Sequence, residues 1–180
     1  MRRIALLLAA ALSFSARECS AQESHIGVRA HGLAPMGDLR DLTDNQVGLG
    51  AAVFVSIPVG RGMVLRPLVG AQFIPKGDNV SLAGTKTSVA SVDLMLDALW
   101  YPDEDPERGP YLVGSVGAQQ WRVRTTGDAP STLSATRLGV NGGLGYQFTE
   151  HFAVEARGFW SPIEKNLTAT GLMVGATLRF

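Results

Sequence analysis

Apolar residues recur at every second position along most of this chain, and the alternation is cleanest in its last ten residues. There Leu172, Val174, Ala176, Leu178 and Phe180 share one face of an extended strand, while Gly171, Gly175, Thr177 and Arg179 share the other. Seven more strand-sized segments precede it, divided by turn signals. The first, 25–33, sets Ile26, Val28 and Ala30 against Arg29 and His31, and 35–44 reads as a polar loop. The second, 46–57, ends at a tight turn over 58–62. The third, 63–74, contains Pro67, whose missing N–H predicts a bulge or local irregularity. A glycine-rich loop over 75–85 leads to the fourth, 87–101, where Val92, Leu94, Leu96 and Trp100 oppose Ser91, Asp93 and Asp97. After the acidic turn 102–110 comes the fifth, 111–124, whose glycines leave its two faces ambiguous. A loop over 125–131, the sixth strand over 133–148, the turn 149–151, the seventh strand over 152–161 and a loop over 162–168 complete the series.

Eight alternating strands with hairpin-length connections predict an all-β fold, an eight-stranded antiparallel transmembrane β-barrel with up-and-down meander order. Connections after strands two, four and six read as turns, and those after one, three, five and seven as longer polar loops. That asymmetry is expected of a barrel inserted from one side of a membrane. Aromatic residues collect at the predicted strand ends: Trp100, Tyr101, Tyr111, Tyr146, Phe148, Phe152 and Phe180 at the short-turn rim, and Phe73, Trp121, Phe159 and Trp160 at the other. Two such belts are expected where amphipathic rings meet the membrane–water interfaces. Alternation alone does not say which face looks outward, so a soluble lipocalin-like barrel is the rival fold.

Composition narrows the choice. The chain is 46% hydrophobic with 21 glycines and a formal net charge of zero, so no basic balance argues for nucleic acid. Residues 1–21 open with Arg2-Arg3, continue through a short apolar run and reach Ser20-Ala21, the layout of a cleaved signal peptide. Residues 22–180 then form the barrel domain. Lipidation of Cys19 is the alternative, opposed by Arg17-Glu18 where small apolar residues belong. Cleavage after Ala21 would remove the single cysteine.

The segment Gly142 to Ala156, Gly-Gly-Leu-Gly-Tyr-Gln-Phe-Thr-Glu-His-Phe-Ala-Val-Glu-Ala, and the terminal strand together resemble the small outer-membrane β-barrels of Gram-negative bacteria, the OmpA/OmpX/OmpW-like "porin family". The resemblance spans the whole of 22–180. It implies an outer-membrane protein in contact with lipid and lipopolysaccharide. It also implies that Gly175, Leu178 and Phe180 form an insertion signal read by the barrel-assembly machinery, with Met173 a departure from the usual polar residue.

The face away from lipid collects Arg29, Arg66, Asp93, Asp97, Arg137, Glu155, Arg157 and Arg179. Inside a barrel this narrow such charges must pair and hydrogen-bond, which predicts a polar plug tying the wall together. The alternative is a narrow pore lined by these groups. Catalysis is not expected: His25, His31 and His151 find no Ser or Cys and orienting acid at workable spacing. The acidic run Asp103, Glu104, Asp105 and Glu107 lacks the spacing of a calcium loop, and no cofactor or metal is expected. Two roles follow, a structural or surface-interaction protein acting through its loops, and a passive channel for small or hydrophobic solutes.

Overall fold

The computed structural model of the chain describes residues 24–79, 84–128 and 130–180. The expected signal peptide, Cys19 included, lies outside the described residues. Eight strands follow one another: β1 (His25–Met36), β2 (Gly48–Gly60), β3 (Met63–Asp78), β4 (Thr85–Trp100), β5 (Gly109–Gly127), β6 (Ser131–Gln147), β7 (Phe152–Glu164) and β8 (Leu167–Arg179). Each pairs antiparallel with its neighbour in the chain, and β1 pairs β8, so the sheet closes into a barrel in meander order. Closure leaves no open edge around the ring, the condition for putting strands in lipid. The seam is held from Gly27↔Arg179 to Met36↔Thr170, and the Phe180 N–H donates to the Ile26 carbonyl at 2.8 Å.

The barrel is inverted relative to a water-soluble one. Its outward positions are apolar and bare, with Leu49 72%, Leu138 70% and Leu144 63% exposed, while Arg66, Asp97, Glu155 and Arg157 are buried within. A lipocalin-like barrel would hide the first set and display the second. An apolar band of this extent costs heavily in water and little in lipid.

Several elements depart from the sequence reading. The segment 35–44 is not a plain loop: it holds a short helix, α1 (Asp38–Thr43). Leu39 drives this helix onto the long-loop mouth, where it is buried with Leu33 and Ile163 in one apolar cluster. The backbone of Thr43 crosses so close to Gly77 that a Cβ there would stand 1.8 Å from the Thr43 carbonyl oxygen. At Pro67 the β2–β3 ladder lapses between Phe54↔Leu68 and Ile57↔Leu65, the local irregularity expected there, but the register is unchanged across it; the register shifts are at Pro58/Gly60 and Ile74/Gly77.

The expected long loops are largely strand. β5 runs on to Gly127 and β6 begins at Ser131, while β7 and β8 are separated only by Lys165 and Asn166. Strands β3 to β6 therefore rise as a four-stranded sheet beyond the other half of the ring. β6 pairs β7 only from Val140 to Gln147, so 131–139 has β5 as its one strand neighbour among the described residues.

Inside, apolar layers lie toward both mouths. Trp121, Phe159, Ile163 and Met173 pack with Leu39 under the helix, and Val64, Leu99, Tyr101, Tyr111, Val113 and Ala153 fill the short-turn end. Trp121 is 1% exposed, and its indole N–H donates to the Ser161 hydroxyl at 3.0 Å. We predict that Trp121→Ala lowers unfolding free energy by about 3–5 kcal/mol, measured by urea unfolding of protein refolded in lipid vesicles. An unchanged midpoint would mean that this layer carries no packing energy.

Candidate functional site

The register explains how distant charges converge. Arg66 on β3 stands opposite Asp97 on β4, Asp97 opposite Ser115 on β5, and Ser115 opposite Asn141 on β6. All four share the inward face, and the curvature of the wall turns this row toward Glu155 and Arg157 on β7. Those two residues are also inward-facing, two apart on one strand.

The contacts engage most polar atoms of Arg66, Asp97, Glu155 and Arg157, whereas Arg29 Nε and Nη1 are buried without a hydrogen bond. Arg66 donates from Nε and Nη2 to Asp97 Oδ2 at 3.0 and 2.8 Å, and from Nη2 to Glu155 Oε1 at 2.6 Å. Arg157 donates from Nη2 to Asp97 Oδ2 at 2.9 Å and from Nε to Glu155 Oε2 at 2.9 Å. Its Nη1 reaches the Ser115 hydroxyl and the Asn141 carbonyl oxygen, each at 3.2 Å. The Ser115 hydroxyl donates to Asp97 Oδ1, and the Tyr111 hydroxyl donates to Glu155 Oε1 at 2.8 Å. Arg29 Nη1 completes the cluster 3.7 Å from Asp97 and 3.8 Å from Glu155. Arg66 also lies over the Phe54 ring, 4.7 Å from its centre.

Glycine makes one of these contacts possible. Tyr111, Gly145 and Glu155 lie in one register row, and a Cβ at Gly145 would stand 2.3 Å from the tyrosine ring. The bare backbone lets the ring cross β6 and deliver its hydroxyl to the carboxylate. Tyr111 was expected in an aromatic belt, and only its register across from Gly145 would have revealed this role.

The structure separates the remaining expected charges. Asp93 is half-buried and bound to Ser91 at 2.8 Å and Gln119 at 3.2 Å, one layer from the main cluster. Arg179 is buried at the short-turn mouth, where Nη2 donates to the Pro106 carbonyl at 2.8 Å. Arg137 is outside the network altogether. It is exposed, and its Nη1 donates to the neighbouring Thr136 carbonyl at 3.4 Å. The reason is that β6 has lost β7 at this height, so an inward-facing position opens to solvent.

The aromatic residues divide too. Phe73, Trp100, Tyr146, Phe148, Phe152, Trp160 and Phe180 are exposed on the outer wall, with Tyr146, Phe148 and Phe152 in ring contact at the short-turn rim. Tyr101 and Trp121, expected in the same belts, point inward instead, as do Tyr111 and Phe159. Their side-chain parity is opposite, and each seals the interior rather than meeting lipid. In the terminal strand Leu178 and Phe180 face outward and exposed, whereas Gly175 lies inward against His31.

Between the apolar layers the interior leaves little room. A void of about 10 Å³ borders Arg29, His31, Glu155, Arg157, Met173 and Gly175, no more than one water needs. Among the described residues no group of three or more His, Cys, Asp or Glu is placed to hold a metal. Electrostatically, the arrangement is a cross-brace: two carboxylates tie guanidinium groups from β1, β3 and β7.

The sequence matches no protein-family model and no curated protein. Solved structures do match. The attachment invasion locus protein Ail of Yersinia pestis, in complex with the heparin analogue sucrose octasulfate, superposes with a TM-score of 0.61 at 16% identity, covering 87% of this chain and 97% of that one. The N-terminal β-barrel domain of Pseudomonas aeruginosa OprF gives 0.57 at 17% identity, over 88% and 98% of the two chains. Neisserial surface protein A gives 0.54 at 18% identity, over 90% and 100%. The fold is that of a small outer-membrane β-barrel. At these identities the likeness concerns the fold alone.

The cross-brace is expected to fail when one partner is removed. We predict that Asp97→Asn destabilises the barrel by about 3–5 kcal/mol, because it leaves buried guanidinium groups uncompensated. Arg137→Ala is expected to stay within about 0.5 kcal/mol of the native chain. Equilibrium unfolding in vesicles measures both, and equal effects from the two variants would contradict the cluster.

Proposed function

We propose that this chain is an integral outer-membrane protein of a Gram-negative bacterium, exported by a cleaved signal peptide, with a structural or surface-interaction role and no enzymatic one. The observation that carries this reading is the sealed interior beneath a projecting sheet. Ions brace the mid-barrel and apolar side chains close it toward both mouths. Among the described residues this packing leaves little room for a solute path, which supports assigning chemistry with the surroundings to the outside.

The projecting part of β3 to β6 supplies a surface for that role. Along 131–135 the β6 strand has no strand neighbour on its β7 side among the described residues, so its backbone donors and acceptors there can take an added strand from a partner. Proteins of this fold include the attachment invasion locus protein of Yersinia pestis and Neisserial surface protein A, which supports the reading. Around the barrel, lipid and lipopolysaccharide cover the apolar band. In assembly, the outward Leu178 and Phe180 with Gly175 are the residues we assign to recognition by the barrel-assembly machinery. A single folded barrel, without a partner copy, is the form this reading favours.

Two measurements test it. Refolded 22–180 in a planar bilayer is expected to give no discrete openings, and reproducible single-channel steps would replace the scaffold reading with a conduit. Cells displaying the chain are expected to be retained on immobilised heparin or matrix proteins more than isogenic cells lacking it. Equal retention on every surface would remove the interaction role.

A further inference from the structure

The outer wall of the projecting sheet changes character abruptly. Along β5 the outward positions read Leu112, Val116 and Ala118, and then Gln120, Arg122 and Arg124, all exposed. Along β4 they pass from Leu96, Leu94 and Val92 through Ala90 and Ser88 to Lys86. Register sets these residues side by side: Ala90 pairs Arg122 and Arg122 pairs Ser134, while Ser88 pairs Arg124 and Arg124 pairs Thr132. Lys86 lies one row further out, and the exposed Lys76 sits at the β3 irregularity beside them.

Three basic side chains, Arg122, Arg124 and Lys86, thus share one outward patch flanked by hydroxyl groups, with Lys76 exposed at the adjoining irregularity. The acids near it are Asp78, 3.7 Å from Lys86, and Asp128 at the hairpin tip. Arg122 and Arg124 have no ion pair among the described residues. Below Arg122 the wall is hollowed. The small Ala90 stands between Phe73 and Arg122 in one register row, and a depression of about 200 Å³ is lined by Ala90, Val92, Gln120, Arg122 and Ser134.

We propose that this patch is a binding site for the phosphate groups of an anionic glycolipid in the surrounding leaflet. Its height favours a membrane ligand over a soluble one. It begins where the apolar wall ends, beside the exposed Phe73, and it faces sideways from the barrel rather than up from its mouth. Two guanidinium groups on alternate residues of one strand point the same way, and their forked donors match phosphate oxygens. The hollow under Arg122 accepts the sugar that carries the phosphate, and the apolar positions beneath receive acyl chains. The inference rests on the orientation of the barrel in its membrane, with the long-loop rim outward. It does not depend on whether the free β6 edge recruits a partner.

The test uses folded 22–180 in neutral detergent and native mass spectrometry with purified bisphosphorylated lipid A as the probe. The native chain is expected to retain the lipid, more weakly as ionic strength rises. The double variant Arg122→Gln with Arg124→Gln is expected to bind about 30-fold more weakly, at roughly a factor of five per cation near anionic headgroups. Arg61→Gln with Arg108→Gln, which removes equal charge at the opposite rim, is expected to bind as the native chain does. Heat-modifiable gel mobility checks that each variant is folded. Equal retention by the Arg122/Arg124 variant and the native chain would overturn the site. So would equal retention of a phosphate-free lipid of the same acyl composition, or a preference for sucrose octasulfate that the same variant abolishes while lipid A binding is absent.

Discussion

The structure turns on two buried carboxylates. Asp97 and Glu155 lie in a wall whose outer face is apolar, and a carboxylate there is tolerable only when its charge is met at close range. Arg66 and Arg157 each touch both of them, and Arg29 approaches both. Because those groups come from β1, β3, β4 and β7, satisfying them closes the ring as well as neutralising it. Backbone pairing holds neighbouring strands; the ion cluster ties strands that are not neighbours.

This brace also accounts for the sealed interior. Guanidinium and carboxylate groups drawn to hydrogen-bond distance fill the width of an eight-stranded barrel. The apolar layers on either side keep water from competing with them. Helix α1 belongs to the same logic, since Leu39 extends the upper apolar layer across the mouth. A barrel braced this way favours the proposed scaffold over a conduit, with contacts to the surroundings assigned in that reading to the projecting sheet.

That sheet is where the two proposed activities divide. Its edge along 131–135 is the part proposed to take a partner strand, and its outward face the part proposed to meet anionic lipid. Both arise from one cause: strands β3 to β6 continue past the height at which β7 and β8 turn back. The same mismatch leaves Arg137 in solvent.

Much of this architecture was legible in the chain. Strict alternation indicated strand number, meander order and which residues share a face, because side chains on a strand alternate and closure forces neighbours to pair. It put Arg66, Asp97, Glu155 and Arg157 on one face before any contact was known. It failed where parity was blurred or height mattered. Glycines in β5 hid the inward turn of Tyr111 and Trp121, aromatic character alone suggested belts for them, and polar strand extensions read as loops. Which guanidinium meets which carboxylate was beyond sequence reading, because the partners lie on separate strands and meet only through the curvature of a closed sheet. Local alternation thus determined the wall of this protein, and tertiary structure alone decided what crosses its interior, since that depends on register, tilt and the side chains missing at glycine.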